Sequence, residues 1–199
     1  MIRKINFNLL ILILFLTACS SVPKNTNNSC AIFEDRYLWY KHTKKVEEKW
    51  GIPVYIQLAF IKKESNYNFF ARPPRHKLFK VIPYKRKSSS FGYSQAIKSS
   101  WNLYRKETGN KLALRTSFCS SVDFVGWYLN KSHKILKIPK NDAYKLYLSY
   151  YLGWSDYKNY SKDKKAIIYA KSVKDIASKY RKQLTTCRDQ LNRKKYIIY

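Results

Sequence analysis

The chain has 199 residues, which is enough for one domain with a substantial core but too few for two. It carries 40 Lys and Arg side chains against 12 Asp and Glu, a formal net charge of +28. An imbalance of this size indicates an anionic partner. Part of the lysine content can also reflect genomic composition, because Lys, Asn, Ile and Tyr are all abundant.

Residues 1–18 are typical of a secretory signal peptide. Arg3 and Lys4 precede an apolar stretch at residues 9–16, which is too short to span a bilayer with margin. The stretch ends in Leu-Thr-Ala-Cys, which resembles the lipobox of bacterial lipoproteins, and the resemblance implies that Cys19 is lipidated. The alternative is an ordinary signal peptide or an uncleaved anchor with a chance cysteine. Ser20 is not acidic, which in similar lipoproteins goes with sorting to the outer membrane.

Export changes the partners that the basic charge predicts. A protein held in the outer membrane by its lipid and facing the periplasm rarely meets nucleic acid, so nucleic acid is not an expected partner. The polyanions of that compartment are the stem-peptide carboxylates of the cell wall and the phosphates of outer-membrane lipids. We therefore expect a protein that is attached to the membrane through its lipid and binds the wall or the membrane surface. A monomer is expected, although nothing in the sequence bears on the oligomeric state.

The pattern along the chain predicts a tether followed by one all-α domain. Residues 19–29 are small and polar, which is typical of a flexible tether. From residue 30 to 199 the apolar residues recur at helical spacing, and no segment alternates as a strand does. The predicted helices cover residues 37–50, 53–64, 96–107, 121–136, 141–153 and 164–191. Residues 66–90 are predicted to be an irregular loop, and a loop of that length is usually functional or disordered.

Local signals set the boundaries of these helices. Gly109 and Gly153 suit helix ends. Asn141 suits an N-cap, and Asp123 is expected in the first turn of its helix, where a negative charge suits the helix dipole.

Three cysteines remain if Cys19 is lipidated, and an oxidising compartment favours pairing of two of them. Cys30 precedes the first predicted helix and Cys187 lies near the end of the last, so we expect a Cys30–Cys187 disulfide that ties the ends of the domain together. Cys119 would then be a free, buried thiol. No group of Cys and His has the spacing of a zinc site, and neither a metal nor a cofactor is expected.

Glu64 is the candidate catalytic residue. It is the only acidic residue between Glu48 and Glu107, in a stretch with thirteen Lys and Arg. Neighbouring cations lower the pKa of a carboxyl and burial raises it, so burial must prevail if Glu64 is to act as a general acid. Aromatic residues close in sequence could supply apolar walls: Tyr67, Phe69, Phe70, Phe91 and Tyr93. From position alone, a solvated glutamate at a helix end is the other interpretation.

Three motifs around Glu64 resemble those of the goose-type-lysozyme-like (SLT) lytic transglycosylases. Residues 61–67, Ile-Lys-Lys-Glu-Ser-Asn-Tyr, resemble the segment in which a helix ends in the catalytic Glu-Ser pair. Residues 91–96, Phe-Gly-Tyr-Ser-Gln-Ala, resemble the second motif, usually Gly-Leu-Met-Gln, which lines the sugar cleft. Residues 148–153, Leu-Ser-Tyr-Tyr-Leu-Gly, resemble the third, usually Ala-Tyr-Asn-x-Gly. The resemblance covers about residues 45 to 160 and implies a lysozyme-like helical fold.

The resemblance also implies the roles of individual residues. Glu64 is the single catalytic carboxylate, and Ser65 orients it. The other residues expected to contact the substrate are Tyr93, Ser94, Gln95 and Tyr150. Leu-Met of the second motif is Tyr93-Ser94 here, and the third motif has Ser149 for Ala and Tyr151 for Asn, so the details of substrate contact differ from the family pattern.

The implied reaction is cleavage of the β-1,4 bond between N-acetylmuramic acid and N-acetylglucosamine in peptidoglycan, with closure of a 1,6-anhydro ring. Most glycosidases use two carboxylates, and here Asp123, Asp142 and Asp156 could approach Glu64 only through the fold. Three alternatives stay open: a peptidoglycan-binding protein on the same fold that does not cut, a muramidase that hydrolyses the same bond, and a binder of nucleic acid or anionic lipid driven by charge.

Overall fold

A computed structural model describes residues 22–79 and 81–194 of the chain. In this part the chain forms seven α-helices, one 3₁₀ helix and a two-stranded antiparallel sheet. The α-helices are α1 Ser29–Asp35, α2 Tyr37–Trp50, α3 Val54–Ser65, α4 Lys98–Thr108, α5 Phe118–Leu136, α6 Ala143–Leu152 and α7 Lys164–Arg193. The strands are β1 Arg75–Leu78 and β2 Ile82–Arg86, and the 3₁₀ helix is Tyr157–Lys162. The expected signal peptide and Cys19 lie outside the described residues.

Helix α3 forms the centre of the domain because it is apolar on nearly every side. Residues 54 and 56–61 are all buried, and a helix that is apolar all round must be enclosed by other elements. Helices α2, α5 and α7 pack around it. Its C-terminal end is held by Asn66 and Tyr67, whose φ angles are 49° and 63°. The buried Tyr67 hydroxyl donates to the Leu58 carbonyl at 3.1 Å, so packing of the ring holds this strained backbone in place.

Helix α7 carries the long apolar face that the sequence predicts. Its buried residues recur every three or four positions, and they are Ala166, Ala170, Val173, Ala177, Tyr180, Leu184, Cys187 and Leu191. This face packs against α1, α3 and α6. Ile167, expected on the face, is only half-buried. No helix within the described ranges combines the length and the apolar character needed to cross a membrane.

The disulfide bond between Cys30 and Cys187 is present, as the sequence predicts, and joins α1 to α7 across 157 positions of chain. In the chain-entropy model a loop of this length stabilises the folded state by roughly 5 kcal/mol. Cys119 is free but exposed, so the prediction of a buried thiol is wrong. The preceding residue, Phe118, stacks on Trp39 with 3.7 Å between ring centroids. Consecutive helical positions point about 100° apart, so Cys119 faces outward.

The tether ends earlier than the sequence predicts. The Tyr180 hydroxyl donates to the Thr26 carbonyl, and the Gln183 side-chain amide donates to the Asn27 carbonyl at 3.2 Å. Asn28 caps α1, a helix that the sequence analysis missed, by accepting from the N–H groups of Cys30 and Ala31. The predicted boundary at residue 29 is therefore too late, because polar side chains of α7 satisfy the backbone of this segment.

Two helix starts differ from prediction. Helix α5 begins at Phe118 with Ser117 as N-cap, so Asp123 lies in its second turn. There Asp123 accepts hydrogen bonds from the Trp50 indole at 2.8 Å and the Tyr104 hydroxyl at 2.6 Å, which joins α2, α4 and α5. Helix α6 is capped by Asp142, which accepts from the Lys145 N–H at 3.0 Å, and not by Asn141. The predicted ends at Gly109 and Gly153 are confirmed.

The segment 66–90 is not wholly irregular, because β1 and β2 pair as an antiparallel hairpin within it. The sheet has only these two strands in the described chain. Period-2 alternation arises when one face of a sheet is buried. Three residues of the hairpin are instead strongly exposed, namely Phe79 at 83%, Val81 at 76% and Tyr84 at 63%. The strand sequences, Arg-His-Lys-Leu and Ile-Pro-Tyr-Lys-Arg, do not alternate between polar and apolar residues, so no strand signal was present in the sequence here.

Gly92 holds the loop that follows the hairpin against the segment before α5. Its φ is +77°, and its N–H donates to the Ala71 carbonyl at 3.0 Å. A Cβ at this position would lie 2.0 Å from the carbonyl oxygen of Arg115. The same carbonyl accepts from the Tyr93 N–H at 3.2 Å. The left-handed backbone and the close approach both require glycine.

We predict that Gly92→Ala lowers the free energy of unfolding by at least about 3 kcal/mol, because the methyl group meets backbone that cannot move aside. Gly109→Ala is the matched control: its φ is +70°, but nothing lies within 4 Å of its Cβ position. That variant is expected to lose only about 1–2 kcal/mol, from backbone strain alone. Urea unfolding followed by circular dichroism measures both, and equal losses would contradict the role of the Arg115 contact.

Candidate active site

A cleft of about 730 Å³ opens beside the C-terminal end of α3. The ends of α3 and α6, the base of the hairpin and the segment that leads into α4 supply most of its walls, with further side chains from α5 and α7. The lining residues are Lys63, Glu64, Pro73, Lys87, Ser88, Ser90, Gln95, Ala96, Ile97, Ser100, Phe124, Tyr128, Tyr147, Tyr150, Tyr151, Leu152, Gly153 and Tyr169. Glu64 is the only carboxylate among these described residues.

Glu64 is half-buried and is held by a tyrosine of α6. The Tyr147 hydroxyl donates to Glu64 Oε1 at 2.8 Å. Burial raises the pKa of the Glu64 carboxyl to about 7, although the hydrogen bond from Tyr147 and the charge of Lys63 both lower this pKa. A carboxyl with this pKa is protonated in part of the molecules and ionised in the rest at neutral pH. It can therefore donate a proton and later accept one, as a general acid and base must.

The wall beside Glu64 is built from the third motif and from the turn of α6 before it. Tyr147 and Tyr150 are three positions apart on α6, a spacing that places them on one side of the helix. The Phe60 ring of α3 meets both edge-on, with ring centroids 5.3 Å from Tyr147 and 5.4 Å from Tyr150. Burial raises the pKa of both phenols well above the ordinary value. The two hydroxyls therefore stay protonated and act as hydrogen-bond donors.

Gln95 of the second motif lines the cleft with a fixed amide. Its Nε2 donates to the carbonyls of Ala71 at 2.8 Å and Gly92 at 2.9 Å. Because both bonds use the amide nitrogen, the side-chain oxygen is the group left to accept a hydrogen bond. The backbone of Gln95 is left-handed, with φ 49°. Tyr150 supports the same loop by donating to the Ser94 carbonyl at 2.6 Å.

Three predicted substrate contacts do not line the cleft. The Ser65 hydroxyl donates to the Ile61 carbonyl at 3.1 Å, one turn back along α3, so Tyr147 and not Ser65 bonds the Glu64 carboxylate. Tyr93 is buried against Trp39, with ring centroids 5.7 Å apart. Ser94 is fully buried, and its hydroxyl has no hydrogen-bond partner in the described part of the chain. The second motif therefore faces the cleft through Gln95 but packs into the core through Tyr93 and Ser94.

The aromatic walls also come from a different part of the chain than expected. Tyr67 stacks on Trp39 in the core at 5.9 Å. Phe70 and Phe91 contact each other at 5.4 Å, outside the cleft lining. The walls are instead supplied by five tyrosines and Phe124: Tyr128, Tyr147, Tyr150, Tyr151 and Tyr169. These residues are 60 or more positions from Glu64, so sequence proximity gave no signal for them.

The other carboxylates considered from the sequence lie away from Glu64. Asp123 joins α2, α4 and α5, and Asp142 caps α6. Asp156 precedes the 3₁₀ helix and is not among the residues of the cleft. Across the described ranges, no group of three or more His, Cys, Asp or Glu side chains is placed to hold a metal ion.

Tyr147 is the residue of the site that the sequence analysis missed. The signal for it was available, because it stands one helical turn before Tyr150, the tyrosine of the third motif. Lys63, Lys87 and Tyr169 also line the cleft and were not singled out. Lys63 Nζ lies 4.0 Å from the centre of the Tyr169 ring, which links the end of α3 to α7.

The helical architecture, with a half-buried glutamate at the end of the central helix beside a cleft, fits a lysozyme-like domain. The family model described as transglycosylase SLT domain matches residues 7–187, and the chain belongs to this family. Membership indicates peptidoglycan as the polymer that the domain binds. A comparison with curated proteins gives no match.

Burial of Glu64 predicts a stability that depends on pH. Its pKa is about 7 in the folded protein and about 4.3 in an unfolded chain. Between these values the folded state binds more protons, so stability falls as the pH rises from about 4 to 7. Glu64→Gln removes this loss. We expect its melting temperature to exceed that of the parent at about pH 8 and to match it at about pH 4. Scanning calorimetry measures the melting temperatures of the parent and the variant at both pH values. If the two proteins differed by the same amount at about pH 4 and about pH 8, the raised pKa would be contradicted.

Proposed function

We propose that this protein is a lytic transglycosylase that cleaves the β-1,4 bond between N-acetylmuramic acid and N-acetylglucosamine in peptidoglycan. The observation that carries the proposal is the half-buried Glu64 with a pKa of about 7, bonded by Tyr147. It is the sole carboxylate among the described residues of the cleft. A single group that both gives and takes a proton suits a reaction in which the substrate supplies its own nucleophile.

In the proposed mechanism Glu64, protonated, donates its proton to the glycosidic oxygen as the bond to C1 of the muramic sugar breaks. The acetamido group of that sugar stabilises the cationic centre. Glu64, now ionised, takes the proton of the C6 hydroxyl as this oxygen attacks C1 and closes the 1,6-anhydro ring. The intramolecular attack has a high effective molarity, which removes the need for a second carboxylate to activate water.

Tyr147 and Gln95 have supporting parts in this proposal. The Tyr147 hydroxyl holds the carboxylate in one rotamer and stabilises its ionised form after proton transfer. The free oxygen of the Gln95 amide is an acceptor for a hydroxyl or an acetamido N–H of the glycan. We further propose that lipid on Cys19 attaches the domain to the outer membrane, where its cleft meets the wall in the periplasm.

We predict that mature protein incubated with purified sacculi releases anhydromuropeptides and that Glu64→Gln releases none, because an amide at this position cannot transfer the proton. Asp175→Asn is the matched control, since it removes an exposed carboxylate of α7 outside the cleft. It is expected to keep full activity. Mass spectrometry identifies the soluble products that each of the three proteins releases.

Two other results would replace the proposal. Products heavier by one water, with free reducing ends, would keep Glu64 as the acid but make the protein a muramidase. No product from any of the proteins, with each folded and pelleting with the sacculi, would favour a domain that binds peptidoglycan without cutting it.

Tyr147→Phe tests how the carboxylate is positioned. Loss of the hydroxyl removes a bond that lowers the pKa of Glu64, so this pKa should rise. Since the acid step needs protonated Glu64, we expect the alkaline limb of kcat/KM to move up by about 1 pH unit, and kcat to fall about 10-fold. Tyr144→Phe, on the same helix but outside the cleft, should change neither the pH profile of kcat/KM nor kcat. A fall in rate without a shift of the pH profile would show only a structural role.

A further inference from the structure

The hairpin beside the cleft carries a dense positive charge. We call residues 72–87 the basic hairpin. Arg72, Arg75, Lys85 and Lys87 are exposed there, and the sequence has no acidic residue between Glu64 and Glu107. Pro73 and Lys87, at the two ends of this segment, line the cleft together with Ser88 and Ser90. The charge is therefore continuous with the site where the glycan would lie.

No ion pair among the described residues neutralises these cations. The ion pairs of the described chain involve acids at positions 35, 47, 107, 123 and 142, and their basic partners all lie outside the basic hairpin. Lys63, near the end of α3, also lines the cleft. Two ammonium groups thus face the cleft, against the single carboxyl of Glu64. A cleft built for an uncharged polymer would gain nothing from this arrangement.

We propose that the cleft selects glycan strands that carry stem peptides with free carboxylates, and that Lys87 and Lys85 of the basic hairpin bind those carboxylates. The inference rests on the proposed function. In an intact strand the sugars are uncharged and the lactyl groups are bound in amide bonds, so the free carboxylates belong to the stem peptides. A strand in the cleft would bring these peptides out past its rim, where the hairpin stands.

The exposed side chains of Phe79, Val81 and Tyr84 are compatible with this ligand. Aromatic and apolar side chains stack on sugar faces and contact the methyl groups of alanine-rich peptides. The same composition would also suit an anionic lipid surface. The position of the hairpin favours stem peptides over a lipid surface as its ligand. Its base is part of the cleft wall, so a bound glycan strand meets it directly.

The test compares native sacculi with sacculi whose carboxylates have been converted to carboxamides by carbodiimide and ammonium. Both keep the same glycan and the same peptides. At low ionic strength the parent protein is expected to release anhydromuropeptides roughly 5- to 10-fold faster from native sacculi, a preference that two exposed ion pairs can supply. Salt above about 0.15 M should reduce the preference, because exposed charges are screened.

Two double variants that each remove two positive charges show whether the preference for native sacculi depends on the hairpin lysines. Lys85→Gln/Lys87→Gln should lower the preference for native sacculi to within about twofold of unity. Lys171→Gln/Lys174→Gln, on the exposed face of α7 away from the cleft, should retain it. Equal preference in both double variants would overturn the inference, and so would a parent protein that cleaves the two kinds of sacculi at the same rate.

Binding to vesicles of phosphatidylethanolamine and phosphatidylglycerol is measured in parallel. If Lys85→Gln/Lys87→Gln loses vesicle binding but keeps the preference for native sacculi, the hairpin serves a lipid surface and the inference is wrong. If the parent releases no product from either kind of sacculus, the proposed function itself fails. Sacculus pelleting then shows whether binding without cleavage remains.

Discussion

Burial of helix α3 is the constraint on which the rest of the molecule depends. Residues 54 and 56–61 are all buried, and all are apolar except Gln57, whose amide nitrogen donates to the Thr43 and Ile52 carbonyls. Three other helices must therefore enclose this one. Its polar end then emerges between them at Glu64. The strained turn at Asn66 and Tyr67 stops the helix there, and the buried Tyr67 ring holds that turn. The packing that makes the core thus also sets the depth of the carboxylate.

Burial of Glu64 sets the pKa of its carboxyl, and this pKa decides which proton transfers the group can carry out. Thirteen Lys and Arg lie between residues 49 and 106, and their field acts to lower the pKa of a nearby carboxyl. Desolvation outweighs it and brings the pKa to about 7, because the low dielectric around a buried group penalises its charge directly. The exposed cations of the hairpin are screened by water and act at longer range. The same cations can therefore attract an anionic polymer without keeping Glu64 ionised.

In this cleft, neutral tyrosines position the catalytic carboxylate, a role that charged groups have in many glycosidases. Tyr147 bonds the carboxylate, and Tyr150 bonds the backbone of the second motif. Burial keeps both phenols protonated, so each is a fixed donor that adds no charge. A second carboxylate near Glu64 would raise its pKa further by repulsion. A neutral donor holds the group while leaving it able to change its protonation state near neutral pH.

The sequence by itself determined the helical class and the position of Glu64 at a helix end, and it favoured the Cys30–Cys187 pairing that the structure contains. Each depends on local periodicity or on a rare residue type, which a linear chain displays directly. It missed the hairpin, because the two short strands show no alternation of polar and apolar residues. It also assigned Ser65, Tyr93 and Ser94 to the substrate from their place in motifs.

Only the tertiary structure decided which of those side chains reach the cleft. Neighbours along the chain point in different directions, so Gln95 faces the cleft while Tyr93 and Ser94 pack inward. The partner of Glu64 is Tyr147, 83 positions away. The contact exists because Phe60 of α3 packs against the side of α6 that carries Tyr147 and Tyr150. The packing of two helices sets that distance, and no spacing in the sequence encodes it.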